Sequence, residues 1–433
     1  MHIFKDFKNF ADARLNLFAP VTLLIGKNAS GKTNTIEAVE LLANLAHGRA
    51  IHEITDMGRG LGSGTFEIRG GLPACARAGT NRFSLGFSGG FTFFGAHEMF
   101  GYTITVDVRP EPRISGERLS IGDRTIFHSE LQSNARGALL RAQYDNFARG
   151  GNKPLITLST DHSLLSRYRV AIAEADVERA QRYHEARRLV TAISDYLRAS
   201  FVFDPNPRAM RAYERIGQRV LLRDAANLSS VLHDLDTRDE KSKETLARLL
   251  DTIRQLPEEP FEKFGFAVTR QGDVLFGLHT PENSDLIDAR VLSDGTLRSL
   301  AVLTALETVP EGSRVVIEEF DNGVHPTRVG VLSAALWECS KRRHLNVLVT
   351  THNPATLDAL TPEQLTAVVL CLFDPETKAA KLLPLTRIPD SDLLLERGHL
   401  GNLVTKKILE RHLMPNFSAS QKQIAEDWLK SLQ

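Results

Sequence analysis

The most restrictive feature of the sequence is a glycine-rich stretch, residues 26–33, which reads Gly-Lys-Asn-Ala-Ser-Gly-Lys-Thr. It fits the phosphate-loop pattern GxxxxGK[ST] without a mismatch. Residues 21–25, just before it, are mostly apolar and favour a buried strand. The pattern after it is helical, with apolar residues at three-residue spacing: Ile36, Val39, Leu42 and Leu45. Because this motif requires a strand–loop–helix unit, we predict a nucleotide-binding site here.

Each residue type in this loop suits contact with phosphate. Glycines let backbone N–H groups converge on phosphate oxygens, and the start of a helix adds a partial positive charge. Lys32 is expected to reach the β- and γ-phosphates of ATP, and the Thr33 hydroxyl to bind Mg²⁺. The predicted cofactors are ATP and Mg²⁺, and the predicted nucleotide-binding residues are Gly26, Asn28, Ala29, Ser30, Gly31, Lys32, Thr33 and Thr35.

A second apolar strand ends in two acids. Residues 315–317 are Val-Val-Ile, and Glu318 and Glu319 follow them directly. A phosphate-loop ATPase needs such a strand because acids at its end hold the metal and the attacking water. We assign Glu318 to Mg²⁺, through a water molecule, and Glu319 to orienting or deprotonating the nucleophile. Glu318 stands where aspartate is usual and is one methylene longer.

Two further segments flank the acidic strand. Upstream, residues 292–298 read Leu-Ser-Asp-Gly-Thr-Leu-Arg, and downstream, residues 349–354 read Val-Thr-Thr-His-Asn-Pro. Ser293 is predicted to cap a helix whose N-terminus points at a γ-phosphate. Gly295 would let the backbone approach closely. His352 follows a predicted strand, which favours a role at the site.

Together these segments resemble the ATP-binding head of ABC-type ATPases, with its Walker A, signature, Walker B, D-loop and switch histidine. The resemblance is to the non-transporter branch that contains RecF, the structural-maintenance-of-chromosomes heads and the overcoming-lysogenization-defect ATPases. It covers about residues 1–130 and 260–433, and residues 318–326 are similar to that branch's acidic strand and following loop. It implies an α/β fold, namely a P-loop ABC-type ATPase head with an antiparallel β lobe, a helical middle insertion and a C-terminal parallel-sheet lobe.

The resemblance also implies how the site is completed. In this family the signature of one head closes the phosphate site of another, with ATP between them. Ser293, Asp294 and Gly295 would then form a signature acting in trans, and Glu319 and His352 would be catalytic. A chain with one phosphate loop and one signature is expected to associate with itself or with a related head, and a dimer of heads is the default unit from which higher assemblies can be built.

Two departures from the family pattern stand out. Asp294 replaces the glycine that is usual at the second position of the signature. The family's glutamine switch has no obvious counterpart, and the candidates are Gln132 and Gln143.

The remaining pattern predicts three regions. Short strands broken by Gly and Pro, typical of antiparallel hairpins, occupy about residues 64–130, with 65–69 and 102–108 as examples. Residues 162–256 are mostly helical and amphipathic, with an interruption at 203–207, and a hairpin follows at 266–278. We therefore expect an N-terminal ATPase lobe with a β subdomain, a helical insertion and a C-terminal ATPase lobe, at residues 1–160, 161–260 and 261–433.

Composition excludes several classes of protein. The 433 residues are 42% hydrophobic, which supports a sizeable core. The 53 basic and 53 acidic side chains balance, which disfavours a general polycation that coats nucleic acid. Three cysteines without CxxC spacing argue against a disulfide framework or a cysteine zinc site. Without a signal peptide or a long apolar run, the protein is expected to be cytoplasmic and not membrane-bound.

Several kinds of system use an ATPase of this type, and features of the sequence disfavour three of them. The large insertion before the acidic strand disfavours a transporter motor, and the helical middle is too short for the arms of a chromosome clamp. The chain ends too soon after His352 for a fused Toprim nuclease, and Asp390-Ser391-Asp392 is interpreted as a turn. The sequence resembles stand-alone ATPases of bacterial antiphage defence. It is similar first to the Septu ATPase family, which is paired with an HNH nuclease, and second to the PARIS ATPase, which is partnered with a Toprim effector. This implies a regulatory subunit, a separate nuclease effector and a phage protein as trigger.

A DNA-binding repair ATPase similar to RecF is the alternative. It would need a basic groove along the dimer. The notable basic clusters are Arg187-Arg188 and residues 341–344, which read Lys-Arg-Arg-His. Surface solvation explains both, so direct DNA binding stays an open alternative.

Overall fold

The computed structural model describes residues 1–56, 67–134, 137–148, 152–173, 183–256, 261–281, 283–389, 391, 395, 398–406 and 408–409. Asp390 and Asp392 lie outside this range, as does the segment from about residue 418, whose polar and amphipathic pattern predicts a last helix. The strands are β1 (His2–Phe7), β2 (Phe10–Leu15), β3 (Val21–Ile25), β4 (Thr55–Asp56), β5 (Glu67–Ile68), β6 (Arg82–Phe93), β7 (Ala96–Asp107), β8 (Arg113–Ile121), β9 (Arg124–Asn134), β10 (Gly137–Tyr144), β11 (Leu155–Leu158), β12 (Ser200–Phe203), β13 (Glu214–Arg215), β14 (Lys263–Val268), β15 (Asp273–Thr280), β16 (Asn283–Asp288), β17 (Arg314–Ile317), β18 (Asn346–Thr351), β19 (Val368–Asp374) and β20 (Ala379–Pro384).

The helices alternate with strands in the C-terminal half and are concentrated between β11 and β14. They are α1 (Lys32–Ala46), α2 (Leu164–Tyr168), α3 (His184–Arg198), α4 (Pro207–Met210), α5 (Leu228–Thr237), α6 (Glu240–Arg254), α7 (Asp294–Thr308), α8 (Pro326–Arg342), α9 (Pro354–Asp358), α10 (Pro362–Leu365) and α11 (Leu400–Thr405). No helix in the described part of the chain combines the length and apolar composition that crossing a bilayer requires.

One continuous sheet organises the molecule. In the described residues it has 14 strands in the order β11-β10-β9-β8-β7-β6-β1-β2-β20-β19-β3-β18-β17-β12. The strands from β11 to β2 pair antiparallel, whereas β19, β3, β18, β17 and β12 are parallel neighbours. The predicted antiparallel lobe and parallel lobe are therefore two halves of a single sheet, and β3 from the start of the chain lies between two strands from its end.

Residue alternation in the parallel strands explains why both faces of the sheet are covered. In β3, Leu24 belongs to one hydrophobic core, whereas Leu23 and Ile25 belong to the other. Val316 and its neighbour Val315 in β17 divide in the same way. Successive side chains of a strand point to opposite faces, so strands that are apolar throughout need helices on both sides. Helices α1 and α3 contribute to the first core, and α5, α6, α7 and α8 contribute to the second.

The local predictions hold for most elements and are wrong for two. Strand β3, helix α1, the β14–β15 hairpin and strands β17 and β18 form where the sequence predicts them. The sequence predicts a hairpin strand at 65–69, and the described part of this segment forms the short strand β5, which pairs parallel with β4. The mostly helical region 162–256 contains a strand, β12, which pairs parallel with β17. Its length of four residues and its position between helices hide it from periodicity alone.

The parallel pairing decides where the site can be. Ile25 at the end of β3 is opposite Thr351 of β18, and Val349 of β18 is opposite Ile317 at the end of β17. The carboxyl ends of parallel strands meet at the same edge of a sheet. The phosphate loop, the acid pair and His352 therefore emerge side by side, although they are far apart in the sequence.

Candidate nucleotide-binding site

The phosphate loop connects β3 to α1 through a backbone that side chains rarely adopt. The φ angles are 155° at Gly26, 64° at Ala29 and 120° at Gly31. A Cβ atom on Gly26 would lie 2.3 Å from the carbonyl oxygen of Cys371 in β19. No side chain fits at that distance, so the first glycine of the motif is required by tertiary packing as well as by backbone conformation.

Lys32 is held inside the loop that it is predicted to serve. Its Nζ donates to the carbonyl oxygens of Gly26 at 2.6 Å and Lys27 at 3.0 Å. Burial lowers the pKa of Lys32, and the nearby carboxylates of Glu319 and Glu318 oppose that shift. The ammonium thus lies beside the space that the loop encloses, where phosphate oxygens could replace the two carbonyls.

The predicted metal ligands are in direct contact. The Thr33 hydroxyl donates to Oε1 of Glu318 at 2.5 Å, across a sequence separation of 285 residues. The Glu318 N–H donates to the carbonyl of Phe203 in β12, which holds the end of β17 in place. A hydroxyl and a carboxylate are hard oxygen donors of the kind that Mg²⁺ prefers. These two side chains fit a magnesium ion, and the extra methylene of Glu318 does not prevent them from meeting.

Glu319 adopts a left-handed backbone, with φ at 47°. Its N–H donates to the hydroxyl of Thr350 at 2.9 Å, and its Oε2 accepts from Asn322 at 3.1 Å. Nδ1 of His352 lies 3.3 Å from its Oε1. A strained conformation held by several contacts is typical of a functional position. The structure thus brings together the two residues that were predicted to be catalytic.

A buried aspartate connects the turn after β17, which carries Glu319, to β18, the strand that precedes His352. Asp321 is 3% exposed, and its carboxylate accepts hydrogen bonds from Thr351, at 2.6 Å, and from Thr356. Burial raises the pKa of Asp321, and the two hydroxyl donors oppose that shift. The sequence gives no sign of this contact because the aspartate and its partners lie on different elements.

The signature lies on a separate helix. Ser293 caps α7 as predicted, since its Oγ accepts from the N–H of Thr296 at 3.1 Å. A Cβ on Gly295 would lie 2.8 Å from the carbonyl oxygen of Gly323, so the helix start approaches the loop after β17 closely. The Asp294 carboxylate pairs with Arg211 at 2.7 Å. Contacts within the same chain, to the loop after β17 and to Arg211, therefore hold the signature in position.

Several residues that no sequence motif includes form hydrogen bonds to the phosphate loop and to the first turns of α1. Asn9 donates to the carbonyl of Ser30 at 3.2 Å and accepts from Asn34 at 2.7 Å. Arg69 extends this series of hydrogen bonds, because it donates to Asn34 at 3.1 Å and to Glu37 at 2.8 Å. No local pattern marks these side chains, because each one acquires its role only when the turn between β1 and β2, the residue after β5 and helix α1 come together.

Neither candidate for the glutamine switch lies at the site. Gln132 is on β9 and Gln143 on β10, in the antiparallel half of the sheet. Seven strands lie between β9 and β3, and neighbouring strands are about 4.8 Å apart. The backbone that runs beside Glu318 is instead the end of β12, where Asp204 and Asn206 follow Phe203. The expectation about Gln132 and Gln143 is wrong.

Glu37 offers a test of the supporting network. Its side chain is 6% exposed and accepts from Lys8 at 2.5 Å and from Arg69 at 2.8 Å. Burial alone would raise the pKa of Glu37, but these donors hold it below the usual 4.5. Glu37→Gln should lower the free energy of unfolding by about 2 kcal/mol at pH 7, because it leaves two cations without their carboxylate.

The pH dependence of this variant follows from the lowered pKa. The ionised carboxylate stabilises the fold above the ordinary pKa of a glutamate, and this stability is lost as the pH falls through the lower folded value. Denaturant unfolding of both proteins between pH 7 and pH 3 should therefore show a difference that shrinks below about pH 4.5. A difference that stays constant across this range would show that Glu37 acts only through packing.

The fold and the juxtaposed motifs define a P-loop ATPase domain of the ABC type. Residues 21–358 match the family described as "AAA domain, putative AbiEii toxin, Type IV TA system". Because the match covers well over half of the chain, the chain belongs to this family.

Shorter similarity extends to repair proteins. A stretch of 55 residues is 47% identical to the DNA replication and repair protein RecF of Gloeobacter violaceus (strain ATCC 29082 / PCC 7421), over 13% of this chain and 15% of that protein. A stretch of 44 residues is 54% identical to RecF of Synechococcus sp. (strain JA-3-3Ab), over 10% of this chain and 12% of that protein. The chain thus spans less than a sixth of the length of either relative.

Among solved structures, a chain titled "Crystal structure of the SmcHead bound to the C-winged helix domain of ScpA" aligns with a TM-score of 0.44 at 12% identity, over 88% of this chain and 95% of that chain. The SMC head domain from Thermotoga maritima aligns with a TM-score of 0.36 at 11% identity, over 88% and 97% of the two chains. Similarity at this level carries no functional argument.

Proposed function

We propose that this protein binds ATP with Mg²⁺ and hydrolyses it in a site that a second copy completes. One observation carries the proposal: Thr33 meets Glu318 at 2.5 Å, and Glu319 beside them lies 3.3 Å from His352. A phosphate loop, a metal-binding carboxylate and a candidate base are thus side by side in one chain.

Each side chain has a distinct task in this proposal. Lys32 exchanges its two carbonyl partners for oxygens of the β- and γ-phosphates. Thr33 and Glu318 hold Mg²⁺, which when bound neutralises negative charge on the phosphates. Glu319 accepts the proton of the attacking water, and His352 keeps the Glu319 carboxylate oriented toward that water.

The signature supplies the reason for a second copy. Ser293 and Gly295 lie at the N-terminus of α7, where the backbone N–H groups and the helix dipole favour a phosphate. Their contacts within the chain run to Thr296 and to the loop containing Gly323. A γ-phosphate held on the phosphate loop of one copy would meet this helix end of the other copy. Binding of ATP would then favour the closed dimer, and hydrolysis would release it.

We further propose that this cycle regulates a separate nuclease in an antiphage defence complex. The family description, which names a putative abortive-infection toxin and a toxin–antitoxin system, supports a defence role. The resemblance to Septu and PARIS ATPases supports an effector on another chain, of the HNH or Toprim type, and a phage protein as trigger.

A DNA repair ATPase similar to RecF is the second candidate, favoured by the short stretches of identity to RecF. The main basic cluster gives it little support, because its cations are already engaged. Lys341 pairs with Glu363 at 3.0 Å, and Arg342 pairs with Glu307. Salt-dependent binding to duplex DNA that weakens when Lys341 and Arg342 are neutralised would favour this function over defence regulation.

Mixing two inactive variants tests the shared site. Lys32→Ala removes the phosphate-loop cation, and Ser293→Arg blocks the signature. Each variant alone should lose hydrolysis, because every site in its dimer lacks one component. When the two are mixed before ATP is added, half of the dimers are mixed, and each of these holds one intact site. Phosphate release should therefore recover to about a quarter of the wild-type rate.

The double variant Lys32→Ala/Ser293→Arg is the matched control for this experiment. Mixed with Lys32→Ala, it offers no intact combination and should give no recovery. The shared site is contradicted if Ser293→Arg alone keeps wild-type activity, or if the mixture of folded single variants stays inactive.

A further inference from the structure

The signature contains a negatively charged side chain, Asp294, although its proposed role is to bind a negatively charged γ-phosphate. Asp294 is the first residue of α7, and its side chain is 67% exposed. At a helix N-terminus a carboxylate is favourable on its own, because it complements the helix dipole. It also competes with, and repels, any phosphate that approaches the same helix end. A trans signature therefore needs something to neutralise Asp294.

Arg211 is placed to do this. Its Nη2 lies 2.7 Å from Oδ1 of Asp294 and also donates to the carbonyl of Leu292 at 2.8 Å. Its Nε donates to the carbonyl of Arg290 at 3.3 Å. One guanidinium thus holds three points of the segment that leads into α7, and it does so with the fixed donor geometry of arginine.

This arrangement differs from an ordinary surface ion pair. Exposed pairs contribute little because both side chains stay mobile and solvated. The Arg211 side chain is only 26% exposed, and besides the ion pair with Asp294 it donates to two backbone carbonyls. The contact therefore sets the path of the backbone before Ser293 as well as the direction of the Asp294 carboxylate.

The position of Arg211 in the chain also connects the signature to the metal-binding side of the site. Arg211 follows α4 directly, and α4 begins just after the end of β12. The backbone of Phe203 in β12 accepts the N–H of Glu318. Met210, next to Arg211, is buried in the same core as Leu297 of α7. A short and well-packed segment thus connects the backbone beside the metal-binding carboxylate to the signature.

We propose that Arg211 is the positioning residue of the signature: it neutralises Asp294 and orients the start of α7 so that a second copy of this chain can place its ATP γ-phosphate there. This rests on the proposed function, since it assumes that the signature closes the site in trans. Arg211 acts through Asp294 and the backbone, and it serves dimer closure rather than the first binding of ATP to the phosphate loop.

Removal of the arginine and removal of the aspartate charge should have opposite consequences. Arg211→Ala leaves the Asp294 carboxylate facing the incoming phosphate. We expect ATP-dependent dimerisation, measured by analytical ultracentrifugation in the presence of ATP and Mg²⁺, to weaken at least tenfold. Binding of a fluorescent ATP analogue to the monomer should change less than twofold. In Arg211→Ala/Asp294→Asn the repulsion is absent, and dimerisation should return to within threefold of wild type.

Arg208→Ala is the matched control, because Arg208 lies on the same short helix and its side chain is exposed. It should dimerise as the wild type does. Wild-type dimerisation by Arg211→Ala would overturn the inference, and so would a double variant no better than Arg211→Ala, which would assign the arginine to local folding alone. If the wild-type protein itself stays monomeric with ATP, the proposed shared site fails and the inference fails with it, so the two failures are distinguishable.

Discussion

Replacing Glu319 with glutamine is expected to lower kcat for ATP hydrolysis by about 10²–10⁴-fold, the range over which a positioned general base acts. Glutamine has nearly the same shape as glutamate, and its side-chain oxygen can still accept from Asn322. It cannot take a proton from water. The change therefore removes the chemistry while it leaves the phosphate loop and the Thr33–Glu318 contact in place.

The same variant should accumulate the closed state. ATP binding favours dimers and hydrolysis dissolves them, so a protein that binds but does not hydrolyse stays in the dimer. Phosphate release measures the first effect, and the mass in solution with ATP and Mg²⁺ measures the second. Glu376→Gln, at an exposed position after β19, is the matched control and should behave as wild type on both counts. Hydrolysis by Glu319→Gln within threefold of wild type would remove Glu319 from the catalytic role.

Adding one methyl group to the phosphate loop should abolish ATP binding. In Gly26→Ala the new Cβ would lie 2.3 Å from the carbonyl oxygen of Cys371 and 2.7 Å from Oγ of Ser30. The φ angle of 155° at Gly26 adds backbone strain for any other residue. The loop must shift away from β19, which separates the N–H groups that converge on phosphate. We expect ATP affinity, measured by calorimetry, to fall more than about 100-fold, since several charge-assisted hydrogen bonds are lost together.

Stability should fall as well, by about 2 kcal/mol in denaturant unfolding, as in other overpacked sites. Gly330→Ala is the matched control. Gly330 is inside α8, and a Cβ there would meet no atom within 4 Å. Alanine at a helix interior should raise the free energy of unfolding by about 0.5–1 kcal/mol and leave ATP binding unchanged. Normal ATP affinity in Gly26→Ala would show that the β19 backbone yields, and that tertiary packing does not dictate this glycine.

Much of the site could be predicted from the sequence because its motifs are local. The phosphate loop needs particular residues at fixed spacing, and the strand before it and the helix after it are visible as a change of hydrophobic period. The cap at Ser293 and the acids at the end of β17 are likewise properties of a few adjacent residues. The alternation of apolar strands with helical segments in the last part of the chain likewise indicated a parallel sheet.

The rest depended on pairing between distant segments, whose free energy is set by the packing of the whole chain rather than by any window of residues. Strand β12 is too short to show a period, and only its register beside β17 reveals it and places the end of this strand, at Phe203, next to Glu318. The contact between Thr33 and Glu318 requires β18 to separate β3 from β17, and the contact between Arg211 and Asp294 requires α4 to pack on α7. The sequence by itself therefore determined which groups are available for phosphate and metal chemistry. Only the tertiary structure decided which of them meet, because hydrophobic burial specifies faces and periods but not the partners that long-range packing brings together.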